Sequence, residues 1–213
     1  MDASSHPSLT YLKSHFELED SILDQILLLE DEYKNHYELH TKELKKQEFW
    51  VNRMVILTER LHKVENSDIY CEYLSHEFAN LPNELIREYG IKLGNLRSSI
   101  CRLMVSIHNL KKTCLKFEEL CSRLDMSVQS PLITGDEFHK PLGYFMEFLP
   151  NLFKYFHART LKLKCCAHLL DPEEFECLGN YMELVKRNDD FEHYFRKGMV
   201  YCNCFSREKL QCK

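Results

Sequence analysis

The sequence predicts an all-α protein: an elongated bundle of four to five helices, with a long antiparallel coiled-coil-like pair at its centre. Three observations carry this. From Ile86 to Leu124 the apolar positions (86, 89, 93, 96, 100, 103, 107, 110, 114, 117, 121 and 124) step by three and four without a slip, a heptad seam that keeps one stripe facing partner helices. Between Pro7 and Pro82 there is no proline, and no glycine precedes Gly90. Such a stretch without helix breakers is unusual outside long helices. There is no strand alternation and no Asn-Gly hairpin signal.

In chain order, residues 1–20 read as a partly disordered arm. Ser21, with Asp24 in the first turn, is placed to cap the first long helix. Ile22, Ile26, Leu29, Tyr33 and His36 hold its stripe, and Trp50, Met54, Leu57, Leu61 and Val64 resume it in phase. His40, Glu43 and Gln47 lie on the seam between, which fits one long helix with a wet waist or two helices broken near Leu44; one helix to about Val64 is the reading favoured. A short helix over 69–78 follows, capped by Asn66-Ser67-Asp68. The corner at Leu81-Pro82-Asn83 opens the seam helix. Gly90 and Gly94 weaken its first turns by about 1 kcal/mol each relative to Ala.

Residues 125–140, with Pro131 and Gly135, read as a surface loop long for a compact bundle. Pro141 opens an aromatic helix with Leu142, Phe145, Leu149, Leu152, Phe156, Leu163, Cys166 and Leu170 on one stripe. Pro150 inside it predicts a kink or a join. A helix over about 173–187 and a last one from Asp189-Asp190 to Gly198 complete the bundle domain, 21–198. Residues 199–213 form a cysteine-containing tail.

Charge and composition exclude several classes. A net charge of −5 argues against general nucleic-acid binding, which needs a basic excess. No run approaches the ~18 apolar residues of a membrane span. The start lacks a basic and then apolar leader, so no secretory signal is expected. The ten cysteines then read as mostly reduced core thiols, with Cys114 and Cys121 on the seam.

Candidate chemistry is thin. Cys202 and Cys204, with Cys212 and His193, have the wrong spacing for structural zinc. His36 and His40, one turn apart with Glu43 beyond, lack the metalloprotease arrangement and read as register-setting seam residues. Cys165 and Cys166 have no evident base. No phosphate-cradling loop, nucleophile elbow or dinucleotide fingerprint occurs. No enzyme activity, metal or cofactor is expected. Residues 14–33 hold seven acids and no Lys or Arg, while Lys154, His157, Arg159, Lys162 and Lys164 make the aromatic helix basic. These are two solvated faces or two electrostatic docking surfaces. Ser14, Ser21 and Thr134 each precede an acid by three residues, which fits an acidophilic kinase site and equally a helix cap.

Two segments carry a resemblance. Arg102-Leu-Met-Val-Ser-Ile-His108 lies in the seam helix; Met146-Glu147-Phe148-Leu149 runs on to Tyr155, Phe156 and Leu161-Lys-Leu-Lys164. With the order of helices, over roughly 48–200, this resembles the small helical family of casein kinase 2 substrates associated with ribosome maturation. The resemblance implies a non-enzymatic adaptor of an AAA ATPase of the spermatogenesis-associated protein 5 type, acting on pre-60S particles in nucleus and cytoplasm. It also implies a second small helical subunit, similar to cyclin-dependent-kinase-2-interacting protein; that subunit shares the helix order, so the resemblance does not separate the two. The implied partner-binding residues are Arg102, Met104, Val105, His108, Glu147, Phe148, Tyr155, Arg159, Lys162 and Lys164. Pro150, the acidic arm and the cysteine tail have no match in the family pattern. Two alternatives stay open: a structural coiled-coil subunit of a replication, kinetochore or tethering complex, and a metal- or nucleotide-dependent enzyme that carries no visible motif.

Overall fold

The computed structural model describes residues 9–65 and 80–211, with side chains for 12–65 and 80–205. Among these residues there are five helices and no strand: α1 Leu9–Glu65, α2 Leu81–Arg123, α3 Leu142–His168, α4 Phe175–Val185 and α5 Asp189–Gln211. A single helical turn, Pro131–Thr134, stands between α2 and α3. The protein is thus an all-α helical bundle. None of the described helices is long and apolar enough to cross a membrane. The helix expected over 69–78 and Cys212 lie outside the described residues.

The chain divides into two compact units. The first comprises 1–35, 107–155 and 188–213; the second comprises 36–106 and 156–187. In the first unit the stripe of α1 (Ile22, Ile26, Leu29, Tyr33) shares a core with Ile107, Leu110, Cys114, Phe117 and Cys121 of α2. Leu142, Phe145, Phe148, Leu149 and Leu152 of α3 and Phe195, Met199, Cys202 and Phe205 of α5 complete it. Each such side chain contributes roughly 1.5–3 kcal/mol by leaving water. Tyr33 crosses this core: its hydroxyl donates to the Leu149 carbonyl at 2.7 Å and lies 3.1 Å from Cys114 Sγ. The polar end of a buried ring is thereby satisfied.

Helix α1 starts at Leu9, well before Ser21. The stripe runs on toward the N-terminus through His15 and Glu19, whose polarity hides it in the sequence. Both are buried and meet each other at 3.0 Å. Ser21 is therefore mid-helix, and its Oγ donates to the Glu17 carbonyl at 2.8 Å instead of capping. At the other end of the chain, Asn188 rather than the Asp pair caps α5, its side chain accepting from the Phe191 N–H at 2.9 Å. Helix α5 does not stop at Gly198 but runs on to Gln211. Its buried Cys202 and Phe205 continue the core face that Phe195 and Met199 begin.

The stretch 125–140 is anchored. Ser130 Oγ accepts from the Ile133 N–H, Pro131 stands at the first helical position, and Leu132 is buried. Gly135 has φ +72°, and a β-carbon there would stand 2.9 Å from both the His139 carbonyl and the Pro141 nitrogen. Only glycine suits that position. Helix α3 runs unbroken through Pro150, so the proline marks no join.

In the second unit Val51, Met54, Leu57 and Leu61 of α1 pack with Leu85, Tyr89, Leu96, Ile100 and Leu103 of α2. Leu163 and Ala167 of α3, Leu170 just beyond its end, and Leu178, Tyr181 and Val185 of α4 close the core. The seam of α2 is as the heptad predicts except at its first step, where Leu85 is buried and Ile86 is 45% exposed.

Candidate functional site

The expected wet waist of α1 is buried. His36, His40, Glu43 and Gln47 are all buried within the second unit. Glu43 and Gln47 offset the cost of burial by pairing, and His36 does so at Nδ1, whereas the Nε2 atoms of His36 and His40 are buried without a hydrogen-bond partner among the described residues. Gln47 donates to Ser99 Oγ at 2.8 Å and accepts from the Tyr181 hydroxyl at 2.8 Å. Glu43 receives Arg102 Nη2 at 2.6 Å and Lys46 Nζ at 2.7 Å. Burial pushes the Glu43 carboxyl up, but the donors Arg102, Lys46 and Ser99 outweigh it and hold the group at about 2. The result is a polar layer that joins α1, α2 and α4. On α2 the partners descend (Ser106, Arg102, Ser99) as they ascend on α1 (His36, Glu43, Gln47).

His36 Nδ1 lies 2.8 Å from Ser106 Oγ, and both histidine rings stand edge-on to Phe156, at 4.6 and 5.3 Å between centroids. Burial lowers His36 to about 4. Burial, then the charges of Arg159 and His36, lower His40 to about 3. The Ser106–His36 pair has the spacing of a nucleophile and its base. A base held near 4 is nevertheless a weak proton acceptor at neutral pH. The buried thiols are likewise not activated: burial pushes Cys114 to about 11, and Cys121 and Cys202 to about 12. Cys204 is half-buried and donates to the Val200 carbonyl.

The residues implied as partner contacts fall into different settings. On α2 in the second unit, Arg102 is tied to Glu43, Met104 packs partly on the core, and Val105 is 63% exposed. Arg159 is half-buried; its guanidinium donates to the Leu184 and Lys186 carbonyls, where it caps the C-terminus of α4. Lys162 and Lys164 are exposed on α3. In the first unit His108 and Glu147 are exposed. Phe148 is buried against α5, and Tyr155 stacks on Phe191 at 3.4 Å. Of the candidate phosphorylation residues, Ser14 and Ser21 are exposed on α1, and Thr134 Oγ1 donates to the Ser130 carbonyl.

One face in the second unit has no partner within the described chain. Gly90, Gly94, Ser98, Cys101 and Val105 follow one another at steps of three and four on the outer side of α2, and all are exposed. A β-carbon at Gly90 or Gly94 would meet nothing within 4 Å. Arg87 and Arg97 flank the face, and no Asp or Glu occurs between Tyr89 and Phe117. Sequence reading missed the Gln47–Tyr181 link and the dependence of α5 on Gly198, because neither has a local signature.

No family model matches the chain, and neither a curated protein nor a solved structure matches it.

Proposed function

We propose that the protein is a non-enzymatic helical adaptor, a subunit of an AAA ATPase complex of the spermatogenesis-associated protein 5 type that matures the large ribosomal subunit. The observation that supports this reading best is the outer face of α2 in the second unit. Its inner seam is buried from Leu96 to Leu103, yet Val105 stands 63% exposed in an acid-free strip beside arginines. An exposed apolar residue framed by one sign of charge suits a protein partner that supplies the opposite sign. Arg102, held by Glu43, shapes one border of this face instead of reaching freely into solvent. The resemblance carried by residues 102–108 and 146–164 supplies the identity of the partners, and with it a place in nucleus and cytoplasm.

The test is reconstitution. The purified chain is mixed with the AAA ATPase and with the cyclin-dependent-kinase-2-interacting-type subunit, and co-migration is followed by size exclusion. The adaptor reading expects a complex that Val105→Arg weakens while the helical signal stays unchanged. Absence of a complex with either protein removes the reading and leaves a structural subunit of another assembly.

A further inference from the structure

We propose that the protein pairs with a second copy of itself by setting Phe138 into a groove on the first turns of α3. Both features belong to the first unit, and the proposal stands independently of the adaptor reading.

Phe138 is 77% exposed, more than any other large apolar residue described. The loop that carries it is held from several sides. Asp136 Oδ1 accepts from the N–H groups of Phe138 and His139, each at 2.7 Å, and Oδ2 lies 2.8 Å from His139 Nδ1. The His139 ring stacks on Phe205 at 5.1 Å, and Lys140 Nζ sits 5.0 Å from the centre of the Tyr201 ring. The glycine-only turn at Gly135 closes the loop behind them. An aromatic ring held out on a fixed loop loses little freedom on docking, and anchors of this kind dominate interface energetics.

The groove is shallow, about 530 Å³, and lined by Met126, Gly143, Met146, Glu147, Pro150, Asn151 and Lys154. Met126 and Met146 are 46% and 41% exposed. Methionine is flexible and polarisable and adapts well to an aromatic ring. Charge selects the occupant. Glu137 and Lys140 flank Phe138 in the sequence, and Glu147 and Lys154 stand two turns apart along the groove. With Glu137 toward Lys154, Lys140 falls toward Glu147, so opposite charges meet at both ends. The chain therefore carries both halves of one complementary contact.

The experiment is sedimentation velocity of the full chain over a range of concentrations at low salt. A monomer–dimer equilibrium weakened by salt is expected. Phe138→Ala and Met146→Arg should each raise the dissociation constant at least about tenfold, the loss of roughly 1.4 kcal/mol, with unchanged circular dichroism. Glu137→Lys should weaken the dimer, and Glu137→Lys with Lys154→Glu should restore it. A monomer at every concentration overturns the proposal, as does a dimer indifferent to Phe138→Ala. A dimer weakened by Phe138→Ala but untouched by Met146→Arg places the ring elsewhere on the second copy and overturns the groove.

Discussion

The ring of Phe148 occupies the space that a β-carbon on Gly198 would need: the two would stand 1.8 Å apart. Helix α5 can lie against α3 in the first unit because residue 198 has no side chain. Gly198 is therefore a packing residue inside a helix. The cost of glycine there, about 1 kcal/mol relative to alanine, is offset by the burial of a phenylalanine.

Gly198→Ala should accordingly destabilise the protein by about 1–3 kcal/mol, the usual cost of overpacking a core. Urea unfolding followed by circular dichroism measures this. Adding Phe148→Leu should recover part of the loss, because the shorter side chain frees the contested volume. Two independent, additive losses would contradict the contact.

Gly94→Ala should do the opposite. The position is exposed, mid-helix, and open around its β-carbon. Alanine gains up to about 1 kcal/mol of helix propensity there. A rise in the urea midpoint at constant slope is the expected result.

The buried histidines make stability depend on pH. In the unfolded chain both titrate near 6.5; in the fold they are held down to about 4 for His36 and about 3 for His40. The unfolded state thus binds more protons below 6.5, and stability falls as pH drops through 6.5 toward 4 and 3. By pH 5 the loss is on the order of 2 kcal/mol for each histidine. Urea midpoints measured between pH 8 and pH 5 should decline, and the double variant His36→Gln with His40→Gln should flatten the curve.

Tyr181→Phe should cost about 1–3 kcal/mol, because it leaves the buried Gln47 carbonyl oxygen without the donor that now sits 2.8 Å away. Thermal melting of the variant beside wild type reads the effect. The same change at Tyr201, whose hydroxyl is outside this layer, serves as the control.

Much of the fold was legible because its signal is periodic. The heptad from Tyr89 to Leu124 is buried at nearly every step, and the stripe that begins at Leu142 on α3 and ends at Leu170 just past it is buried throughout apart from the half-buried Cys166. What the sequence concealed is polar. His15 and Glu19 continue an apolar stripe by hydrogen-bonding to each other, which a hydrophobicity pattern cannot register. The His40–Glu43–Gln47 stretch read as solvated, since its partners Arg102, Ser99 and Tyr181 lie far away in the chain. Arg159 read as part of a basic face, whereas its partners are carbonyls at the end of another helix. On the outer face of α2, only the packing shows which residues stay uncovered.

We propose that this uncovered face is the docking surface of an AAA ATPase adaptor. Affinity purification with mass spectrometry, on wild type and Val105→Arg side by side at low and high salt, tests it most directly. Wild type should recover the AAA ATPase together with a second small helical protein, and the variant, equally folded, should recover much less of both. Equal recovery by the two would remove the α2 face from the account; recovery of no AAA ATPase by wild type would contradict the adaptor reading itself.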